Sequence, residues 1–432
     1  MTLMQEKPSP SPLLPTLGLL VLSAGLGAIF RLIGHWQDLQ HSVPEFIALS
    51  LGAGVLYVAG VYLVERFALG ASALLVIVLG ALFFRLCLLP REPAVSDDVY
   101  RYQWEGRVER LRINPYTVYP AMPRLSSVED RSRPIPSGRD ISTLYPPLTE
   151  LSFSWVSTLA GYKLLYTGFD LAAVGILVAL LTLSKQPLHR ILTYAWNPCV
   201  AISFAMSGHH DSLAIFTLLA AILLITLGKP AFSVSLLALS VISKFFSLLL
   251  LPTFLRRTRL AYAVLFAGVV GLGYLPFLSA GRLLFKGLSD YLGGSEGNDS
   301  LCRLIRLAGN SRPQAELVAG TLVMVLLAYA LKRRLEPLSA SLLLISGLLF
   351  LSPNAFPWYF TWIVPFLCFY PRAPLLLISI TSVLGYAPVV AYAAGQPYRD
   401  SPFILLLEYA PVLAWLLYEG YRASRPTGSG SV

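Results

Sequence analysis

Val95-Ser-Asp-Asp-Val-Tyr-Arg-Tyr-Gln-Trp-Glu-Gly-Arg-Val108 is the densest polar stretch of a chain that is otherwise largely lipid-soluble. It follows an apolar run at residues 69–90 and leads into Asn114-Pro-Tyr116. Two adjacent carboxylates, Asp97 and Asp98, stand where the chain leaves that run. Whether the run crosses a membrane decides the fold, and the composition around it answers that. The 432 residues are 56% hydrophobic and only 13% charged, against roughly 25% charged in a soluble domain. Apolar runs near 20 residues recur throughout, the length a helix needs to span a bilayer.

The expected fold is therefore an all-α polytopic membrane protein with about twelve transmembrane helices. The spans fall at 13–33, 43–65, 69–90, 163–184, 190–207, 211–228, 260–279, 314–332, 338–352, 357–371, 373–393 and 402–421. Two further apolar pieces, 145–161 and 230–252, are ambiguous. The expected organisation is an N-terminal helical part (1–90), an external catalytic loop with interfacial helices (91–162), a helical core (163–421) and a cytoplasmic tail (422–432). The run after the polar, Pro-rich Met1–Pro12 reads as a retained span, since it shows no small-residue cleavage site. The net charge of +10 does not indicate nucleic acid, because Lys and Arg punctuate the short links between spans instead of gathering on one tail. Cys87, Cys199, Cys302 and Cys368 share no metal-ligand spacing and read as packing residues without disulfides.

Parity orients the chain. With a cytoplasmic N-terminus, three crossings put the 91–145 loop outside. The basic links Lys185–Arg190, Gly228–Pro230, Arg256–Arg259, Lys332–Arg334, Pro371–Pro374 and the tail can then all fall inside. That requires 145–161 not to cross and 230–252 to be a re-entrant hairpin, a broken helix that protein or a water cavity must satisfy. Gly208-His-His-Asp211, the 280–312 loop and Pro353–Tyr359 then share the outer side with Asp97.

Each polar cluster has two readings. The 91–145 loop holds nine Arg and eight acids but no Lys, a bias toward planar recognition of phosphate or carboxylate. Ser96 can cap a helix whose first turn carries Asp97 and Asp98. The same pair can supply a general base and a group that orients a sugar hydroxyl or holds a divalent cation. Arg101 and Tyr102 share a helical face with the pair, and an arginine there would favour the ionised carboxylate. His209, His210 and Asp211 either open a helix or bind sugar hydroxyls; consecutive on one turn, they do not make a metal site by themselves. Lys244, inside an apolar piece, either snorkels or pairs a lipid phosphate or an internal acid. Arg85 and Asp170, with Lys163 nearby, read as structural intramembrane charges, as does Glu408. Trp358, Tyr359 and Trp362 form an aromatic belt or a sugar platform. Arg303 and Arg306 follow a Gly- and Ser-rich stretch able to close over a phosphate. No nucleotide-binding signature appears, which argues against an ATP-driven pump or a nucleotide-sugar donor.

Ser96–Arg107, Asn114-Pro-Tyr116, Tyr145-Pro-Pro-Leu148, Gly208–Ser212, Lys244 before its Leu-Pro run and Pro357-Trp-Tyr359 occur together, in order, over residues 80–370. In this combination the chain resembles the GT-C superfamily of integral-membrane glycosyltransferases, most closely the polyprenyl-phosphate-mannose-dependent mannosyltransferases. The resemblance implies inverting transfer of a hexose, mannose first, from a polyprenyl-phosphate donor to a glycan or lipid-linked acceptor outside a bacterial plasma membrane. Asp97 is the first choice for the catalytic base and Asp98 the second. Arg101, Tyr102, Arg107, Tyr145, His209, His210, Asp211, Lys244, Arg303, Trp358 and Tyr359 are the implied substrate-binding residues. Metal use stays open, with Mg or Mn between the aspartates as the candidate. The acidic loop here follows three spans and not one as in many relatives, which implies an N-terminal extension. A flippase of lipid-linked sugars would place its polar residues near the midplane and show repeat symmetry. A polysaccharide ligase or polymerase would place its large loop late.

Overall fold

The computed structural model describes residues 13–36, 42–93, 95–128, 135 and 138–424. Met1–Pro12, most of the expected 422–432 tail and part of the Pro- and Arg-rich 120–139 stretch lie outside the described residues.

Three apolar helices open the fold: α1 (Leu13–His35), α2 (Val43–Arg66) and α3 (Ala71–Leu88). The polar loop then forms α4 (Asp98–Arg110), followed by α5 (Pro147–Ser154). Next come α6 (Leu159–Leu183), capped by Thr158, then α7 (Asp211–Thr226) and α8 (Pro230–Val241). The C-terminal part contains α9 (Tyr262–Tyr274), α10 (Lys286–Gly294), α11 (Leu301–Leu307), α12 (Arg312–Lys332), α13 (Pro337–Leu351), α14 (Ala373–Thr381) and α15 (Pro402–Ser424). Among the described residues, eight helical stretches are long and apolar enough to cross a membrane. Their outward faces expose large apolar side chains, as in Leu17, Val21, Leu317 and Val325, so this is an integral membrane protein.

Four of the twelve expected spans are not long helices. The 190–207 run is a series of short turns broken at Asn197-Pro198 and ending in a π-turn at Ile202–Met206. The 357–371 run is broken at Pro357 and Pro365, because proline removes an amide donor and clashes with the preceding turn. The other two, α7 and α13, run only 16 and 15 residues. The 230–252 piece does break: α8 is 12 residues long and stops, and a 3-10 turn starts at Phe245.

One pair of intramembrane charges meets directly. Arg85 makes a two-pronged contact with Asp170 at 2.8 and 3.3 Å and also donates to the Ala195 carbonyl. Lys163 goes elsewhere: it donates to the carbonyls of Leu88, Leu89 and Arg91. It thereby satisfies the C-terminal end of α3, where carbonyls lack partners, and fixes the point from which the Ser96–Asp98 turn departs.

α4 is buried nearly all round, from Val99 to Val108, so its aromatic residues pack on protein and not on lipid. Gly106 lets it approach α5: a Cβ there would sit 2.1 Å from the Phe153 carbonyl oxygen and 2.5 Å from the Tyr162 hydroxyl. At the opposite end of the bundle, basic links meet. Arg190 pairs with Glu65 and Arg257 with Glu336, so the ends of α2, α6, α12 and the 251–255 turn lie away from Asp98.

Candidate active site

Four separate pieces of chain converge on Asp98. The first is its own helix. Asp97 is the residue flanking α4, and Asp98 begins the helix. One turn on, the Tyr102 hydroxyl lies 3.4 Å from Asp98 Oδ2 and 3.1 Å from His210 Nδ1. The Tyr102 ring is held in a buried cluster with Tyr145, Phe153 and Tyr166, stacking on Phe153 at 4.5 Å.

The second piece is the 208–211 turn. Gly208 takes φ +71°, the left-handed conformation that costs glycine least, and its neighbour His209 donates its amide to Ser203. The reversal directs His209 toward Asp98, with Nδ1 3.6 Å from Oδ2. The His209 ring stacks on Trp358 at 4.2 Å. His210 packs edge-on against Tyr102 and Tyr145.

Lys244 and the aromatic turn supply the remaining two. Lys244 Nζ pairs with Asp211 Oδ1 at 2.8 Å. The Trp362 indole N–H donates to the same oxygen at 2.7 Å. The ammonium also stands 4.8 Å from the Tyr359 ring centre and 5.5 Å from that of Trp362, a cation–π arrangement that stabilises charge in an enclosed place. Tyr291, on α10, lies within hydrogen-bonding reach of Tyr359.

Burial raises the Asp98 carboxyl to about 7; the charge of Asp97 adds to the rise and Lys244 opposes it. Burial lowers His209 to about 3 and His210 well below the usual imidazole range. Burial thus favours the neutral imidazole at both positions, which makes the His209–Asp98 contact one between a neutral ring and a carboxyl group. His209 Nδ1 and Nε2, His210 Nε2 and Asp211 Oδ2 are buried without a hydrogen-bond partner among the described residues. Such atoms are costly unless water or a ligand meets them.

Three residues expected at this site lie elsewhere. Arg101 has other partners. Its guanidinium binds Glu105 at 2.7 Å and the carbonyls of Gly138 and Ile141. Glu105 is fully buried, and a buried acid without a cation is strongly unfavourable; that demand takes the arginine. Arg107 donates to the Val128 carbonyl. Arg303 pairs with Asp299 at 2.7 Å and Asp400 at 3.4 Å, tying α11 to the 397–401 segment. Trp358 has parallel neighbours in both His209 and Phe356, so its ring braces the site. Conversely, Trp362 is part of the site through Asp211. The signal was its position three residues after Tyr359, on the same turn.

Among the described residues, no group of three or more His, Cys, Asp or Glu side chains is arranged to hold a metal ion.

The family profile described as "Alpha-(1->6)-mannopyranosyltransferase, N-terminal domain" matches residues 17–258. That range contains Asp97, Asp98, Tyr145, His209, His210, Asp211 and Lys244, but not the aromatic turn at 357–362. Searches of curated proteins and of solved structures return no match.

Proposed function

The chain belongs to the family of alpha-(1->6)-mannopyranosyltransferases, and from that premise we propose that it moves mannose from a polyprenyl phosphate to a glycan or lipid-linked acceptor, with Asp98 as the base. The family description names a (1->6) linkage, so the attacking group in this reading is the primary 6-hydroxyl of the acceptor sugar. The Asp98 carboxylate takes the proton of that hydroxyl. Its oxygen forms the new bond at the anomeric carbon of the donor as the bond to the phosphate oxygen breaks, with inversion. Polyprenyl phosphate leaves with the electron pair.

The observation that carries the choice of Asp98 over Asp97 is the convergence on its Oδ2 of Tyr102 and His209. Tyr102, steadied by His210, orients the carboxylate. Neutral His209 and His210 offer hydrogen bonds to sugar hydroxyls without a competing charge. Lys244 brings the cation that offsets the growing charge on the leaving phosphate, the electrostatic part of catalysis. Asp211 and Trp362 hold it ready, so little reorganisation accompanies the reaction. Holding donor and acceptor in one enclosure supplies much of the rest.

The positive-inside rule supports an extracytoplasmic site, because basic links gather at the end away from Asp98. A lipid phosphate donor fits that side, where nucleotide sugars are not made. The test is a donor panel: purified protein in liposomes, with labelled polyprenyl-phosphate mannose or nucleotide mannose and a mannose-terminated acceptor. Product from the lipid donor alone is expected; product from the nucleotide donor alone overturns the reading. Undiminished turnover after chelation is expected as well, and loss restored by Mg or Mn would require a metal in the scheme.

A further inference from the structure

We infer that Thr149 is a positioning residue for the transfer reaction: its hydroxyl, with the Leu148 amide, fixes the chain break that aims Lys244 at Asp211. The inference rests on the role proposed above for Lys244.

α8 ends at Val241, and Lys244 is extended at φ −156°, ψ 129° before the next turn starts at Phe245. The carbonyls of Ile242 and Ser243 fall in this break, and inside a bilayer each needs a partner. Both partners come from the start of α5. The Leu148 amide donates to the Ile242 carbonyl at 2.8 Å and the Thr149 hydroxyl to the Ser243 carbonyl at 2.6 Å.

The Tyr145-Pro-Pro-Leu148 sequence explains why these donors are free. Pro146 and Pro147 carry no N–H, which makes Leu148 the first donor of the helix, and first-turn amides have no intrahelical acceptor. In a helix, the threonine hydroxyl competes for the carbonyl four residues back. Here that carbonyl belongs to Tyr145 and accepts from the Tyr116 hydroxyl at 2.8 Å. The Thr149 hydroxyl is turned outward, to Ser243. Thr149 and Ser243 are fully buried, so water has no access to replace the bond. α9 closes the contact from the other side: a Cβ on Gly273 would lie 2.7 Å from the Ile242 side chain. The break is thus held at two successive carbonyls and packed on one side, directly before the lysine.

The experiment compares Thr149→Val, which keeps the shape and loses the hydroxyl, with Thr149→Ser, which keeps the hydroxyl. Each is assayed with polyprenyl-phosphate mannose across pH, in the natural background and in Lys244→Gln. Thr149→Val is expected to lower kcat by on the order of 10-fold and to move the midpoint of the pH–rate curve upward, because Lys244 opposes the rise in Asp98. Thr149→Ser is expected to stay near the natural enzyme, and Thr149→Val to add nothing in the Lys244→Gln background. Equal losses in the two backgrounds, or an unshifted midpoint, would overturn the inference. If Thr149→Val does not accumulate, the smaller Thr149→Ala removes the same hydroxyl and takes its place. A fully active Lys244→Gln would instead sink the role proposed for Lys244.

Discussion

Asp98 can be tested apart from its neighbours because Asp98→Asn preserves shape and removes only the base. Transfer should fall by about 10²–10⁴, the usual share of a general base, while donor binding persists. Asp98 is raised from 3.8 to about 7 by burial and by Asp97, which sets the sign of the pH dependence. The ionised form is the active one, so kcat/KM should climb with pH to a plateau above about 7. Stability runs the other way. The folded state holds the Asp98 proton more tightly than the unfolded state, so this contribution is complete below pH 3.8 and is lost as pH rises through about 7. Asp98→Asn should therefore melt higher than the natural protein at pH 8, with the difference shrinking at pH 5. The Asp97-Asp98 pair was legible in the sequence as chemistry at a membrane exit. Which member faces the site was not, since that follows from the rotation of α4, set by Tyr102 and Gly106 against α5 and α7. Arg101 misled for a related reason. Its position one turn from the pair was visible, but the burial of Glu105 was not.

Among elements, the contact between α4 and α5 has little slack. Gly106→Ala would drive a methyl into the Phe153 carbonyl, and overpacking of this kind typically costs about 1–3 kcal/mol. A lowered melting temperature with transfer lost in proportion is expected; an unchanged melting temperature would mean that α4 does not sit against α5 as described. Asn114 makes a second clasp, donating to the Phe277 carbonyl at 3.0 Å and Ser279 Oγ at 2.9 Å while Tyr116 packs edge-on against Phe277. It joins the 91–145 loop to the 275–285 turn that leads into α10. Asn114→Ala should speed amide exchange across 275–294 and leave α1–α3 untouched. The interruption near Lys244 and the Pro-rich break before Trp358 were read in the sequence; the breaks at Pro198 and Pro365 were not, because the apolar character of 190–207 and 357–371 reads as unbroken spans. That Leu148 and Thr149 satisfy the interruption near Lys244 could not be read either, because the partners lie about 94 residues apart and carry no periodic signal.

At the scale of the whole molecule, the apolar composition announced a helical membrane protein. The count of spans was less legible, because hydrophobicity reports burial in lipid or protein alike, and runs such as 190–207 are buried in protein. The sidedness is open to direct labelling. In a background without the four native cysteines, Ser289→Cys on exposed α10 should react from outside intact cells. Ser184→Cys, exposed at the far end of α6, should react only after permeabilisation. The reverse pattern would move the site to the cytoplasm and remove the case for a lipid-phosphate donor. The most direct test joins donor and base in one assay: labelled mannose on polyprenyl phosphate, a mannose-terminated acceptor, and the natural protein beside Asp98→Asn in identical liposomes. A (1->6)-linked product is expected from the natural protein, with a loss of about 10²–10⁴ in the variant. Undiminished transfer by Asp98→Asn would contradict the assignment of Asp98 as the base.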